Sequence, residues 1–262
     1  MRPYLAILSA RARVLLQYRA AAAAGFACQW FWGLIRMMIF QAFYQNPGAS
    51  APMNIQQVVS YVWLGQAFLL LIPLRVDSDM AEKIRSGNIA YELLRPIDLY
   101  AHWYARAVAD RIAPAALRAA PMLAVATLAG WLKWTSPAAT AACAVALVAA
   151  TLLSAAVSVL VSITMFQTVS GVGINSAIEA ITFLLSGIII PLPLFPDWLQ
   201  PVLNWLPFRG LMDVPFRLFT GHIPVSQLPG QLAGQLAWTL AIGLAGRWLL
   251  GRSVRKLVIQ GG

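Results

Sequence analysis

Few residues of this chain have side chains suited to acid–base or nucleophilic chemistry. The sequence holds two histidines, His102 and His222, and two cysteines, Cys28 and Cys143. The cysteines lie in apolar stretches, where they behave as small hydrophobic residues, and the histidines are too far apart in sequence to predict a paired metal site. No glycine precedes a lysine, so the phosphate-binding loop ending in GKS or GKT is absent. We therefore expect no metal, no cofactor and no ATP hydrolysis on this chain alone.

Acidic residues that could support other chemistry are equally sparse. The best cluster for an enzyme acting on lipid inside the membrane is His102 with Asp98 and Asp110, and no GxSxG nucleophile motif accompanies it. An ion-coupled secondary transporter needs carboxylates near the bilayer midplane, and Glu179 is the only acidic residue in any apolar stretch. Its spacing from Ser176 also predicts a capping box, a structural role. Both alternative functions remain open at this point.

Two further polar features lie inside apolar stretches. A central arginine such as Arg36 costs roughly 2.5 to 3.5 kcal/mol in a bilayer, so it either faces a cavity or a partner subunit or extends to the interface. Ser154, Ser158 and Ser162 recur every four residues and form a single polar stripe on a helix, which we call the serine stripe. This stripe favours close helix packing, and lining of a transport path is the second interpretation.

These residues must be positioned by membrane helices. The chain has 262 residues, of which 60% are hydrophobic and 11% charged, whereas about a quarter of a soluble domain is charged. A crossing needs roughly 17 to 25 apolar residues. We predict a single all-α integral membrane domain, residues 1–262, with six spans at about 20–44, 57–74, 112–131, 138–166, 177–194 and 232–250.

Three segments outside the spans have distinct patterns. Residues 1–19 carry an apolar stripe flanked by arginines, which predicts an amphipathic helix on the cytoplasmic face of the membrane. Residues 75–111 mix charges of both signs and predict a cytoplasmic docking loop. Residues 195–231, with the prolines just before them, cannot form one continuous helix, so they predict a re-entrant or interfacial hairpin on the outer side.

The basic residues indicate the orientation. With the N-terminus inside, the cytoplasmic pieces hold 14 of the 19 arginines and lysines. Because basic residues accumulate on the cytoplasmic side, both termini are predicted to be cytoplasmic. The net charge of +10 thus reflects topology, and no nucleic-acid partner is expected.

Two runs resemble a known family. EKIRSGNIAYELLRPIDLY is similar to the first cytoplasmic loop of type-2 ABC exporter (ABC-2) permeases, which carries their coupling helix. LLSGIIIPLPLFPDWLQPVLNWLPFRGLMDVPFRLFTG resembles the SG motif and proline-rich outer hairpin of the same permeases. The order of the other segments is also similar, and the closest resemblance is to small stand-alone permeases.

The resemblance implies a function and a set of partners. The chain would be a permease in a bacterial inner membrane, exporting an unspecified substrate among membrane lipid. It would work beside a second permease, unlike or identical, and a cytoplasmic ATPase dimer that binds ATP and Mg. The ATPase-contacting element would be formed or flanked by Glu82, Gly87, Leu94, Arg95 and Pro96. Asp213 and Arg217 would lie in the outer turn before the last span.

Overall fold

The computed structural model describes residues 19–45, 51–73, 91, 97–164 and 172–255, and every regular element in these ranges is a helix. The α-helices are α1 (Arg19–Tyr44), α2 (Ile55–Phe68), α3 (Leu99–Leu128), α4 (Pro137–Thr164), α5 (Val172–Leu185), α6 (Gln200–Trp205), α7 (Asp213–Phe219) and α8 (Leu228–Val254). The predicted amphipathic helix up to residue 18 and most of the predicted docking loop lie outside the described residues.

Short polar side chains begin several of these helices. Asn54 Oδ1 accepts from the backbone N–H of Gln57 at 2.9 Å, and Gln57 Oε1 accepts from the Asn54 backbone at 3.0 Å, which completes a capping box before α2. Asp98 Oδ1 accepts from the backbone of Ala101 at 2.7 Å before α3. These caps satisfy backbone donors that have no partner inside the helix.

Three helical segments are long and apolar enough to cross a membrane, namely Ala23–Tyr44, Leu99–Leu128 and Pro137–Thr164. Helix α2 with the 3-10 turn after it is apolar but shorter, as is α5. Helix α8 has 27 residues but carries Gln231, Gln235 and Arg247, and it is not among the three. The described part of the chain is therefore a helical membrane protein.

Helix α3 begins earlier than the sequence predicted. The predicted span started at Ile112, whereas the helix starts at Leu99, inside the predicted docking loop. Trp103 and Ala107, one helical turn apart, are buried against α4 and against Leu250 of α8. This part of α3 is amphipathic rather than uniformly apolar, and a search for apolar stretches therefore excludes it.

Helix α4 lies at the centre of the fold. It packs most extensively against α8 and also against α7 and α3. Its buried surface consists largely of small side chains, including Ala139, Ala142, Ala146, Ala150 and Ala155. Small residues allow helix backbones to approach closely, which is how membrane helices gain packing energy without a hydrophobic driving force.

Contacts between helix ends define two ends of the molecule. At one end, Gln56 at the start of α2 donates to Trp131 O beyond α3 at 3.2 Å, and Gln57 donates to Thr220 O at 3.3 Å. This is the hairpin end, because it holds residues 186–227, which we call the hairpin segment. At the opposite end, Arg247 of α8 pairs with Asp98 at 2.5 Å.

Candidate functional site

A fully buried carboxylate lies at the hairpin end. Asp213, the first residue of α7, has no exposed surface and accepts hydrogen bonds from Arg217 Nη1 at 3.1 Å and Tyr61 Oη at 3.3 Å. Its backbone N–H donates to Ser186 O at 3.2 Å. A buried carboxylate is tolerated when it is paired and hydrogen-bonded. These residues, the Asp213 cluster, tie α2, α7 and the end of α5 together.

The local electrostatics of α7 suit this pair. Asp213 lies in the first turn and Arg217 in the last turn, so both charges interact favourably with the helix dipole. Burial raises the pKa of the Asp213 carboxyl above its usual range, and the neighbouring Arg217 guanidinium opposes that rise. The Arg217 side chain is 17% exposed, and it also lines a cleft on the surface of the hairpin segment. The pair therefore connects the interior to that cleft.

Gly187 allows the chain to turn beside the cluster. Its φ of +84° lies in the left-handed region, and a Cβ at this position would approach Tyr61 Oη to 2.4 Å and the Asp213 Cβ to 3.3 Å. Glycine alone fits both the conformation and the space. Ser186 and Gly187 are the SG pair on which the family resemblance partly rests. Here the turn brings the Ser186 carbonyl to the first backbone N–H of α7.

Arg36 reaches the same region from α1. Its Nη1 donates to Ile188 O at 2.9 Å, one residue beyond Gly187, so it fastens α1 to the hairpin segment. The side chain is half-buried and lines the cleft. The guanidinium therefore borders a cavity, and a role in a transport path or at a subunit interface stays a prediction.

The cavity lies between the hairpin end of α1 and the hairpin segment, and we call it the hairpin cleft. Its volume is about 1110 Å³. Aromatic and aliphatic side chains form most of the wall, among them Trp32, Phe40 and Phe43 of α1. Ligand sites are commonly concave, mostly apolar and supplied with a few polar groups, and this cleft has that composition.

A second buried charge lies farther from the hairpin end. Arg111 of α3 is 8% exposed, and its Nε donates to Ser154 Oγ at 2.7 Å while another guanidinium nitrogen donates to Ser158 Oγ. Its Nη1 donates to Ala107 O at 2.6 Å, and Ser154 Oγ donates to Leu71 O. The serine stripe thus supplies acceptors for a buried cation at the contact of α3 and α4.

The third member of the stripe bonds within its own helix. Ser162 Oγ donates to Ser158 O at 2.9 Å, and Ser162 is buried. The sequence placed Arg111 in the cytoplasmic loop, so its contact with the stripe was missed. The absence of glycine and proline from residues 97 to 113, with Trp103 and Ala107 at helical spacing, is the signal that points to a helix there.

Two other polar residues, both within predicted spans, were missed for a different reason. Tyr61 is 1% exposed and packs edge-on against Phe216 with ring centroids 5.2 Å apart, in addition to its bond to Asp213. Gln235 of α8 is 3% exposed and donates to Ala146 O at 3.1 Å and Gly210 O at 2.6 Å. Tyrosine and glutamine within a predicted span carry no sequence signal for these distant partners.

The acidic residues on which the two alternative functions depend lie in helix caps, ion pairs or the interior of a helix. Asp98 caps α3 and pairs with Arg247, and Asp110 lies 3.9 Å from Arg106 one turn away. Glu179 is half-exposed in the second half of α5. The predicted capping box at Glu179 is wrong, because α5 already includes residue 172 and the residue is interior to it.

The predicted ATPase-contacting residues Glu82, Gly87, Leu94, Arg95 and Pro96 lie outside the described residues. Of the others, the structure brings Arg36 and Arg217 to one cleft, with Asp213 behind Arg217. Ser154 and Ser158 belong to the separate Arg111 contact.

Comparisons with known proteins complete the picture. Searches among curated proteins and among solved structures find no match. Residues 30–261 match the family described as ABC-2 family transporter protein, which covers all the described helices except the first part of α1. The match includes the Ser186–Gly187 turn, the Asp213 cluster and the whole of two of the three membrane-capable helices, α3 and α4. This chain therefore belongs to the ABC-2 family of transporter membrane proteins, as an ABC-2 type permease.

Proposed function

We propose that this chain is the permease subunit of an ATP-driven exporter. Two permeases would enclose a path across the bilayer, and a cytoplasmic ATPase dimer on separate chains would drive them between conformations. The family match over residues 30–261 carries this proposal. The lack of a GKS or GKT loop supports it, because the energy source must then lie on a partner.

Six crossings with a re-entrant hairpin are part of this proposal, and the lengths of three helices support it. Helices α1, α3 and α4 have 26, 30 and 28 residues, enough for a hydrocarbon core of about 30 Å. Helix α5 has 14 residues and rises about 21 Å, so it falls short by itself. The hairpin segment packs beside its end and would complete that crossing from the outer side.

The charge distribution supports cytoplasmic termini. Described basic residues at the opposite end include Arg106, Arg247, Arg252 and Arg255, whereas exposed Trp198 of the hairpin segment fits an outer interfacial belt. The opposite end would therefore face the cytoplasm and the hairpin end the outside.

The Arg111 contact supports a route for coupling. Pro73, just before the docking loop, is close in sequence to Leu71, and Ile97, within the loop, is close in sequence to the start of α3. Arg111 and Ser154 connect α3, Leu71 O and α4. A displacement of the loop by the ATPase would thus act on Leu71, on α3 and on the central helix α4 together.

Copurification tests the proposal. The tagged full-length chain is expressed with the proteins encoded beside it and purified in mild detergent, and an ATPase and a second permease are expected to accompany it. Glu82→Ala and Arg95→Ala should lower both ATPase recovery and transport, while Trp198→Ala, a control at the 77% exposed hairpin surface, should lower neither recovery nor assembly. Absence of any ATPase, or unchanged transport in both loop variants, would refute the assignment.

A further inference from the structure

We propose that the hairpin cleft binds an amphiphile with an anionic headgroup and that Arg36 contacts this headgroup. The inference rests on the proposed function and names the substrate class of the exporter. Two features of the cleft support it, namely its volume with an apolar wall and an uncompensated cation inside it. A third argument is that another copy of the chain could supply few acidic groups.

The wall suits a hydrophobic body. Trp32, Phe40 and Phe43 of α1 face Ile189 and Phe195 of the hairpin segment across the cleft. A cavity of about 1110 Å³ is slightly larger than the usual ligand pocket, whose volume runs from roughly 300 to 1,000 Å³. It therefore accommodates a ligand with a long chain or several rings.

The charge inside the cleft is positive. Arg36 forms one hydrogen bond, to Ile188 O, and pairs with no carboxylate among the described residues. Arg217 also lines the cleft, but Asp213 already compensates its charge at 3.1 Å. The remaining charged lining residue, Asp197, is exposed, so solvent weakens its attraction for Arg36 and its repulsion of an acid without removing either. A half-buried guanidinium without a counter-ion favours an acidic ligand group, and a carboxylate or phosphate provides strong, charge-assisted hydrogen bonds.

A second copy of the chain is a poorer occupant. The only acidic residues from position 180 onward are Asp197 and Asp213, and the latter is fully buried. The hairpin segment of an identical partner would thus bring Asp197 as its one accessible carboxylate, and Asp197 already lies beside its own cleft. Charge complementarity favours an acidic amphiphile in the cleft.

Photolabelling tests this assignment without ATP. The full-length chain, with the chains that copurify, is placed in phosphatidylcholine nanodiscs with a diazirine-bearing long-chain carboxylic acid, or with the matched alcohol or trimethylammonium compound. Labelling of α1 is measured by peptide mass spectrometry. The acid should label residues 30–45 with an apparent affinity about tenfold above the alcohol, as expected for one hydrogen bond to a charged group, and the cation should label weakest. Equal labelling by acid and cation would overturn the proposal.

Variants separate binding from structural support. Arg36→Gln should reduce acid labelling to the alcohol level, Arg36→Lys should retain the preference for acid, and Asp197→Asn should strengthen acid labelling because a repulsive charge is removed. A merely structural Arg36 would leave the acid preference unchanged in Arg36→Gln, which overturns the proposal. If Arg36→Gln loses alcohol labelling as well, the change has collapsed the cleft, and the Asp197→Asn variant then tests the proposal. Stronger acid labelling of Asp197→Asn supports it, and unchanged acid labelling overturns it.

Two further arms identify the ligand class and isolate the permease proposal. Excess acetate should not displace the long-chain acid, since the apolar wall contributes to binding, and efficient displacement would overturn the amphiphile assignment. ATPase copurification is read separately, so failure there refutes the exporter assignment whatever the labelling shows.

Discussion

Removal of the Asp213 carboxylate should strongly destabilise the fold. In Asp213→Ala the guanidinium of Arg217 keeps its largely buried position, with 17% of the side chain exposed, but loses its partner at 3.1 Å. Tyr61 Oη loses its acceptor at the same time. Breaking a buried ion pair costs about 3 to 5 kcal/mol. The partial exposure of Arg217 places this variant near the lower limit, about 3 kcal/mol.

Thermal unfolding of the purified protein measures this effect. About 3 kcal/mol corresponds to a fall in Tm of roughly 6 to 12 °C for a chain of this size. Asp213→Asn keeps the side-chain shape and an acceptor for Tyr61, and burial already favours the neutral form of this group, so the Tm of this variant should stay close to that of wild type at pH 7. The double variant Asp213→Asn with Arg217→Gln should lose less than the sum of the two single changes, since no buried charge is left unpaired. A Tm within about 1 °C of wild type for Asp213→Ala, or strictly additive losses, would refute the reasoning.

Three other outcomes follow from the described contacts. Gly187→Ala should lower stability sharply, because φ is +84° and a tyrosine hydroxyl would lie 2.4 Å from the new Cβ. Gly234→Ala in α8, where the new Cβ would have nothing within 4 Å, should instead raise the stability by about 0.5 to 1 kcal/mol. Equal effects of the two changes on Tm would contradict this expectation. In the proposed complex with an ATPase, Arg111→Met should reduce the ATPase activity more than Arg111→Lys, because lysine keeps a positive charge and can donate a hydrogen bond to Ser154; identical losses would show that the charge at this position has no effect. The pKa of the Asp213 carboxyl is raised in the fold, so protonation of this group stabilises the protein. The stabilisation is complete at a pH below the ordinary carboxyl pKa, and it is lost as the pH rises through the raised pKa. The Tm of wild type relative to Asp213→Asn should therefore improve from pH 7 to about pH 4, and a difference independent of pH would contradict the shift.

Local patterns predicted some parts of the molecule well. The apolar stretch before Tyr44 and the one after Ala138 coincide with long helices, because a run of apolar residues needs no distant partner to prefer the membrane. The SG pair and the proline-rich segment resembled an outer hairpin, and Gly187, one of three described glycines with a left-handed φ, turns the chain there. The family resemblance on these same motifs agrees with the match over residues 30–261.

Amphipathic and long-range features were not predictable in this way. The first turns of α3 mix Arg106 and Asp110 with buried Trp103, so they read as a loop until α4 and α8 are placed beside them. The serine stripe was visible, but its guanidinium partner was not, since Arg111 and Ser154 are separated by 43 residues in sequence.

A helical membrane protein without a GKS or GKT loop could be predicted from the residues alone, because composition, apolar length and motif absence are properties of single segments. The contacts between polar groups, in contrast, depend on how the helices pack. Tyr61 and Asp213 are 152 residues apart in sequence, as are Arg36 and Ile188, yet each pair is within hydrogen-bonding distance. Burial makes such partners obligatory without encoding their identity locally. The hairpin cleft and its uncompensated arginine therefore emerge from the packing of α1 against the hairpin segment.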